Sequence, residues 1–123
     1  MSREIKFRAW DIENKRRIFE GIHVDFLGQV VVINKKIATH HRNLILMQFT
    51  GLKDRHGVEI YEGDLLKGNQ GNFVVKFELG RYVATFPSGS TIQNLLTFLL
   101  SNRETEVIGN IYENPELLEG QSQ

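Results

Sequence analysis

The sequence predicts a mostly β protein, an antiparallel small barrel or sandwich with one or two short helices. Three observations carry that expectation. Short apolar or alternating runs recur at roughly 8–12-residue spacing. Most of the eleven glycines, and several Asp/Asn residues, sit between those runs, where reversals are needed. Helical periodicity is confined to two stretches near the C-terminal end.

In chain order, "EIKFRAW" sets Ile5, Phe7 and Ala9 against Lys6 and Arg8, the two-residue period of a half-buried strand. Polar residues 11–17, "DIENKRR", read as a turn into a second strand from Ile18 to Phe26. "LGQ" leads to the β-branched run "VVVIN" at 30–34, so the first three strands form a meander. Residues 35–43, "KKIATHHRN", are polar and read as a connection.

"LILMQFT", 44–50, is apolar enough for a strand buried on both faces. "GLKDRHG" then reverses the chain, with Asp54 and Gly57 bracketing the turn before "VEIY". "EGD" at 62–64 is a further corner, and "GNQG" at 68–71 supplies two glycines for positive φ. "NFVVKFE" and "RYVATF" around "LG" make a hairpin, and with the corner before them give residues 60–86 an SH3-like outline. After "PSGS", Ile92, Leu95, Leu96, Leu99 and Leu100 fall at helical spacing, with Ser90 or Thr91 as N-cap. Two strands are the competing reading of 91–101. "TEVIGNIY" returns to strand with a bulge or kink at Gly109. In "ENPELLEG", Asn114 caps a final helix, Pro115 takes its first position and Gly120 ends it.

No linker rich in Pro, Gly or Ser divides the 123 residues, so one domain is expected. Within it, 1–43 form a basic N-terminal meander, 44–118 the main barrel-like portion, and 119–123 a frayed tail. The absence of cysteine excludes disulfides, thiolate catalysis and Cys-based metal centres. The longest apolar run, "LLTFLL", falls far short of a bilayer span, and the charged "MSREIKFRAWD" start does not read as a signal peptide. A cytoplasmic protein without membrane contact is therefore expected. The formal net charge is zero, but residues 1–45 hold nine Lys/Arg against five Asp/Glu.

Candidate chemistry is sparse. Asp54 and Asp64 are acidic residues at reversals, where side-chain-to-backbone bonding accounts for them better than acid–base catalysis does. Of the histidines, His40 and His41 are adjacent, so on a strand they would face opposite ways, whereas in a loop both could reach one metal; His23, His56, Asp25 and Asp54 offer no recognisable spacing for the further ligands. Ser88 and Ser90 lack the strand–G-x-S-x-G–helix setting of a nucleophile elbow, and "GNQG" lacks the rest of a P-loop. No enzyme, cofactor or metal is expected.

Binding has better candidates. Lys15, Arg16 and Arg17 form one basic group, and Lys35, Lys36, His40, His41 and Arg42 a second. Both could contact phosphates, with Trp10, Phe19 or Tyr82 stacking on unpaired bases. A solvated hairpin tip and buried aromatics are the plainer reading. The apolar stripe Ile92, Leu95, Leu96, Leu99 and Leu100 could complete the core or meet a second subunit or another protein.

Three blocks, "IKFRAWD", "LMQFTGLKDRHGVEIYEGDLL" and "EVIGNIYENPELL", resemble the YopX family of phage and prophage proteins. The blocks follow the family's order across nearly the whole chain. The resemblance implies a mostly β, homo-oligomeric accessory protein, encoded by a phage or prophage and made in the bacterial host cytoplasm. It implies no catalytic or ligand residues. In the middle block, Gly51, Gly57 and Gly63 are expected at unusual φ, with Asp54 and Asp64 holding the turns.

Overall fold

The computed structural model describes residues 4–34, 37–40, 44–68, 71–89 and 92–118. The fold is mostly antiparallel β, with a sheet curled into a half-barrel and one short α-helix. The chain divides into two compact units, Glu4–Gln48 and a second that begins at Phe49.

The first unit contains β1 (Phe7–Asp11), β2 (Arg16–Ile18), β3 (Ile22–Val24), β4 (Val30–Asn34), β5 (Ile37–His40) and the start of β6 (Leu44–Lys53). β1 lies between β2 and β6, with Ala9 opposite both Ile18 and Leu46. Ala9, Trp10 and Met47 are buried, as the apolar residues of these strands require. Arg8 is buried too, and its guanidinium reaches the Met47 sulfur at 3.5 Å.

Two expectations are corrected in this unit. The single strand expected from Ile18 to Phe26 is two strands in different sheets, because the chain breaks at Gly21. There φ is +74°, and a Cβ would overlap the carbonyl oxygen of Ile33, whose amide bonds to the Gly21 carbonyl at 2.8 Å. The meander is consequently β3–β4–β5, and residues 37–40, expected as a connection, form its third strand. Polar Thr39 and His40 pair there through the backbone, which is indifferent to side-chain polarity.

The second unit holds the rest of β6, then β7 (Glu59–Tyr61), β8 (Asp64–Gly68), β9 (Gly71–Glu78), β10 (Arg81–Thr85), β11 (Ile92–Asn94), α1 (Leu95–Ser101) and β12 (Glu106–Asn110). A 3₁₀ turn follows at Pro115–Leu118. Its five-stranded sheet runs β11-β10-β9-β8-β12. The β9–β10 hairpin closes as expected through Leu79 and Gly80, both at positive φ (53° and 80°), the signs of a type I′ turn. Gly71 has positive φ but Gly68 does not; Gly68 instead lets the Phe98 and Phe73 rings approach to 3.3 and 3.4 Å of where a Cβ would stand.

The core of this unit includes Ile60, Leu66, Phe73, Val75, Phe86, Leu95 and Phe98. Phe73 lies against Phe86 and Phe98, with ring centroids 4.4 and 4.5 Å away. Burial of one such ring is worth about 2–3 kcal/mol.

The Leu-rich stretch resolves its two readings by being both. Residues 92–94 pair with β10, and the helix starts only at Leu95. The N-cap is Asn94, not Ser90 or Thr91: its side chain accepts from the amides of Leu96 (3.1 Å) and Thr97 (3.3 Å). Asn102 ends the helix by donating from its side chain and its amide to the Phe98 carbonyl, each at 2.9 Å. At the C-terminal end Asn114 differs from expectation, since its Oδ1 accepts from the Asn110 amide at 3.2 Å instead of capping the turn that follows. Among the described residues no helix is long and apolar enough to cross a membrane.

Candidate functional site

The stretch 51–66 carries the positions most suggestive of chemistry, and its geometry is that of a joint. Gly51, Gly57 and Gly63 all take positive φ (87°, 80° and 87°). The β6–β7 reversal "DRHGV" closes with the Asp54 amide on the Val58 carbonyl (2.9 Å) and the Gly57 amide on the Asp54 carbonyl (3.0 Å). Asp54 Oδ1 then accepts from the amides of His56 (2.8 Å) and Val58 (2.9 Å), and Oδ2 from the amide of Val107 in β12 (2.9 Å). Burial by itself would raise this carboxyl, but the amides of Val107, Val58 and His56 and the nearby imidazole outweigh it and hold it below the usual 3.8. A carboxylate so engaged acts as a backbone acceptor.

Asp64 is fully buried, and its Oδ2 accepts from the Tyr61 amide at 2.8 Å across the "EGD" corner. Gly63 at that corner donates to the Val75 carbonyl (2.8 Å) and accepts from the Ile111 amide (3.0 Å). Further links join the same two stretches: the Arg55 amide to the Thr105 carbonyl (3.4 Å), and His56 Nε2 to Glu106 Oε2 (3.1 Å). Asn110 folds the C-terminal block on itself, its Oδ1 accepting from the amides of Tyr112 (2.9 Å) and Glu113 (2.8 Å). The middle and final sequence blocks are thus bonded to each other. Asn110 was not singled out in the sequence, where one Asn beside a glycine looks like any turn residue.

A second loop has the same construction. In "DFLGQ", between β3 and β4, the Asp25 amide donates to the Gln29 carbonyl (2.9 Å) and the Gly28 amide to the Asp25 carbonyl (2.9 Å). Asp25 Oδ1 accepts from the amides of Leu27 (2.9 Å) and Gln29 (2.8 Å). Gly28 has φ +82°. What this loop presents is different: Phe26 is 97% exposed and Leu27 71%. The sequence marks this turn by Gly28 but gives no sign that the two apolar side chains stand in solvent.

The predicted binding residues are distributed as follows. Lys15 is an exposed turn residue with φ +50°. Arg16 Nε pairs with Asp11 Oδ2 at 3.2 Å, and the Arg17 guanidinium lies 5.6 Å from the centre of the Phe19 ring. The Asn14 side chain and then its amide, helped by Arg16, hold the Asp11 carboxyl down at about 2 against its burial. Lys35, Lys36, His41 and Arg42 lie outside the described residues; His40 belongs to β5, opposite Val31. Trp10 is buried, Phe19 is exposed, and Tyr82 packs edge-on to Phe77 with centroids 5.0 Å apart. Ile92 is on β11, opposite Thr85. Leu95 is spent on the core together with Phe98, a residue the Leu stripe omitted; Leu99 packs against that core, while Leu96 and Leu100 are exposed. Among the described residues no three His, Asp or Glu side chains gather as a metal would need.

The fold and its joints define a class: a small antiparallel β protein in which acidic side chains at glycine-bearing reversals tie distant strands together. The chain matches the YopX protein family over residues 6–119 and belongs to that family. It is similar to the crystal structure of protein EF1440 from Enterococcus faecalis, with 26% identity and a TM-score of 0.73, covering 96% of this chain and 100% of that one. It also shares its fold with protein yopX from Bacillus subtilis, at 24% identity and a TM-score of 0.63, covering 92% and 97% of the two chains. No curated protein matches the chain.

Proposed function

We propose that this YopX-family chain is a non-enzymatic accessory protein of a phage or prophage, acting in the host cytoplasm by self-association and by binding a host or phage macromolecule. One observation carries the reading: the "DFLGQ" tip holds Phe26 and Leu27 in solvent on a loop fixed by four hydrogen bonds. Two large apolar side chains on an ordered turn cost solubility unless a partner covers them. The loop has already lost its conformational freedom, so a partner does not have to order it. Val24 on β3 and Phe19 are exposed in the same unit and extend the apolar character.

Light scattering after size exclusion tests the proposal. The parent chain is expected to elute as a multimer at micromolar concentration, and the Phe26→Ser/Leu27→Ser variant as a smaller species with an unchanged unfolding midpoint. A monomeric parent contradicts self-association.

Nucleic-acid binding through the N-terminal basic residues is the second reading. It is supported by Lys15, Arg16 and Arg17, consecutive and exposed where the turn enters β2, with Arg16 still largely open to solvent beside Asp11. A gel shift at low salt that fades with added salt and with Arg16→Glu supports it; no shift at low salt removes it.

A further inference from the structure

The second unit contains a cavity of about 260 Å³ whose lining includes Lys53, Asp54, Arg55, Leu99, Leu100 and Arg103. It lies where the end of β6 and the "DRHGV" turn meet the C-terminal end of α1 and the loop that follows. Most polar groups around it are already engaged. Both oxygens of Asp54 accept backbone amides, the Asn102 side chain donates to the Phe98 carbonyl, and the Thr105 hydroxyl donates to the Asn102 carbonyl. Glu106 faces His56, and Glu104 is not part of the lining. The three cations are different: among the described residues the side chains of Lys53, Arg55 and Arg103 make no hydrogen bond or ion pair. Three cationic residues without such a partner therefore line an open hollow together with Leu99 and Leu100.

We infer that this cavity binds a carboxylate carried on an aliphatic body, the anion held by Arg55, Arg103 and Lys53 and the aliphatic part lying on Leu99 and Leu100. Guanidinium forks suit a planar two-oxygen anion, and the carboxylate in the lining, Asp54, is already met by three amide dipoles. The apolar wall argues against a bare inorganic anion, which would leave Leu100 uncovered. Nucleic acid fits less well, because no aromatic side chain lines the hollow for a base to stack on. The volume is below the roughly 300–1,000 Å³ of pockets for drug-sized ligands. The site is therefore matched to a short free acid or to the last residue of a peptide chain, two sources of the same chemistry.

The test is an NMR titration of the full chain with four probes: hexanoate, hexan-1-ol, a tetrapeptide ending in Leu with a free carboxylate, and the same peptide amidated. Saturable shifts at the Leu99 and Leu100 methyls and the Arg103 side chain are expected for hexanoate or the free-acid peptide, at about millimolar affinity for so small a ligand. Whichever of the two binds more tightly identifies the source. Arg103→Gln and Arg55→Gln should each weaken binding about tenfold. Leu100→Gln should weaken it about threefold to tenfold. All three side chains are exposed, and unchanged backbone spectra would show the variants folded. Equal binding of hexanol or the amidated peptide, indifference to Arg103→Gln, or no saturation by either acid overturns the inference. So does inorganic phosphate or a single-stranded oligonucleotide binding more tightly than both acids.

Discussion

The two loops "DFLGQ" (25–29) and "DRHGV" (54–58) share a backbone and differ in use. In each, an aspartate closes the turn through its main chain and accepts two loop amides on Oδ1, and a glycine takes a φ near +80°. Two features stand out: the reach of Asp54 Oδ2 and what each tip displays. Asp54 Oδ2 reaches the Val107 amide, 53 residues along the chain, so that loop is a fastening between β12 and the β6–β7 turn. Asp25 Oδ1 accepts from its own loop, and the residues above it are Phe26 and Leu27 in place of Arg55 and His56. A D-x-x-G-x reversal is thus a neutral mount, and its use depends on what the two central residues display and, at Asp54, on the reach of Oδ2.

The largest effect is expected from removing the fastening. Asp54→Ala leaves three amides without their acceptor, one of them in β12, and should cost about 3 kcal/mol in urea unfolding. Asp25→Ala affects amides that water can reach and should cost about 1 kcal/mol. Gly28→Ala and Gly57→Ala have open space around the new methyl, so backbone strain alone should set a cost of about 1–2 kcal/mol, equal at the two loops. Unequal glycine costs would show that the loops are not the same device.

Acid extends the contrast. The folded carboxyls of Asp54 and Asp11 lie below the ordinary 3.8, Asp11 at about 2. A depressed folded value means stability that is full above about pH 4 and lost as the pH falls through the folded value. The urea midpoint of the parent should therefore drop between about pH 4 and pH 2, and Asp54→Asn should flatten part of that drop. A drop of the same size in the variant would mean that Asp54 is not linked to acid unfolding.

The smallest effect concerns a third reversal that uses no aspartate. The β9–β10 turn places Leu79, almost fully exposed, at φ +53°, a conformation leucine resists. Leu79→Asn should raise stability by about 0.5–1 kcal/mol, read as a higher thermal midpoint.

Much of the architecture could be read from the chain because β patterning and turn chemistry are local. The "LG" hairpin, the Asp54–Gly57 reversal and the Gly109 bulge, where the β8–β12 register shifts, all follow from a few adjacent residues. What escaped was decided at a distance. Residues 22–24 leave the sheet of β1 because Gly21 must meet Ile33, and 37–40 become a strand because β4 offers a free edge. The helix starts at Leu95, capped by Asn94, because pairing with β10 extends to that residue, a tertiary choice that Ser90 and Thr91 could not announce. The candidate site shows the same division. That Asp54 and Asp64 hold main chain could be inferred from their turns, whereas the Val107 link, the cations around the cavity and the exposure of Phe26 depend on the folded chain.

Amide hydrogen exchange at Val107 probes the fastening most directly, in the parent, Asp54→Ala and Asp25→Ala. The Val107 amide should exchange slowly in the parent and in Asp25→Ala and become fast in Asp54→Ala, while amides of the β9–β10 hairpin keep their protection. Unchanged Val107 protection in Asp54→Ala, or an equal loss in Asp25→Ala, would contradict the account.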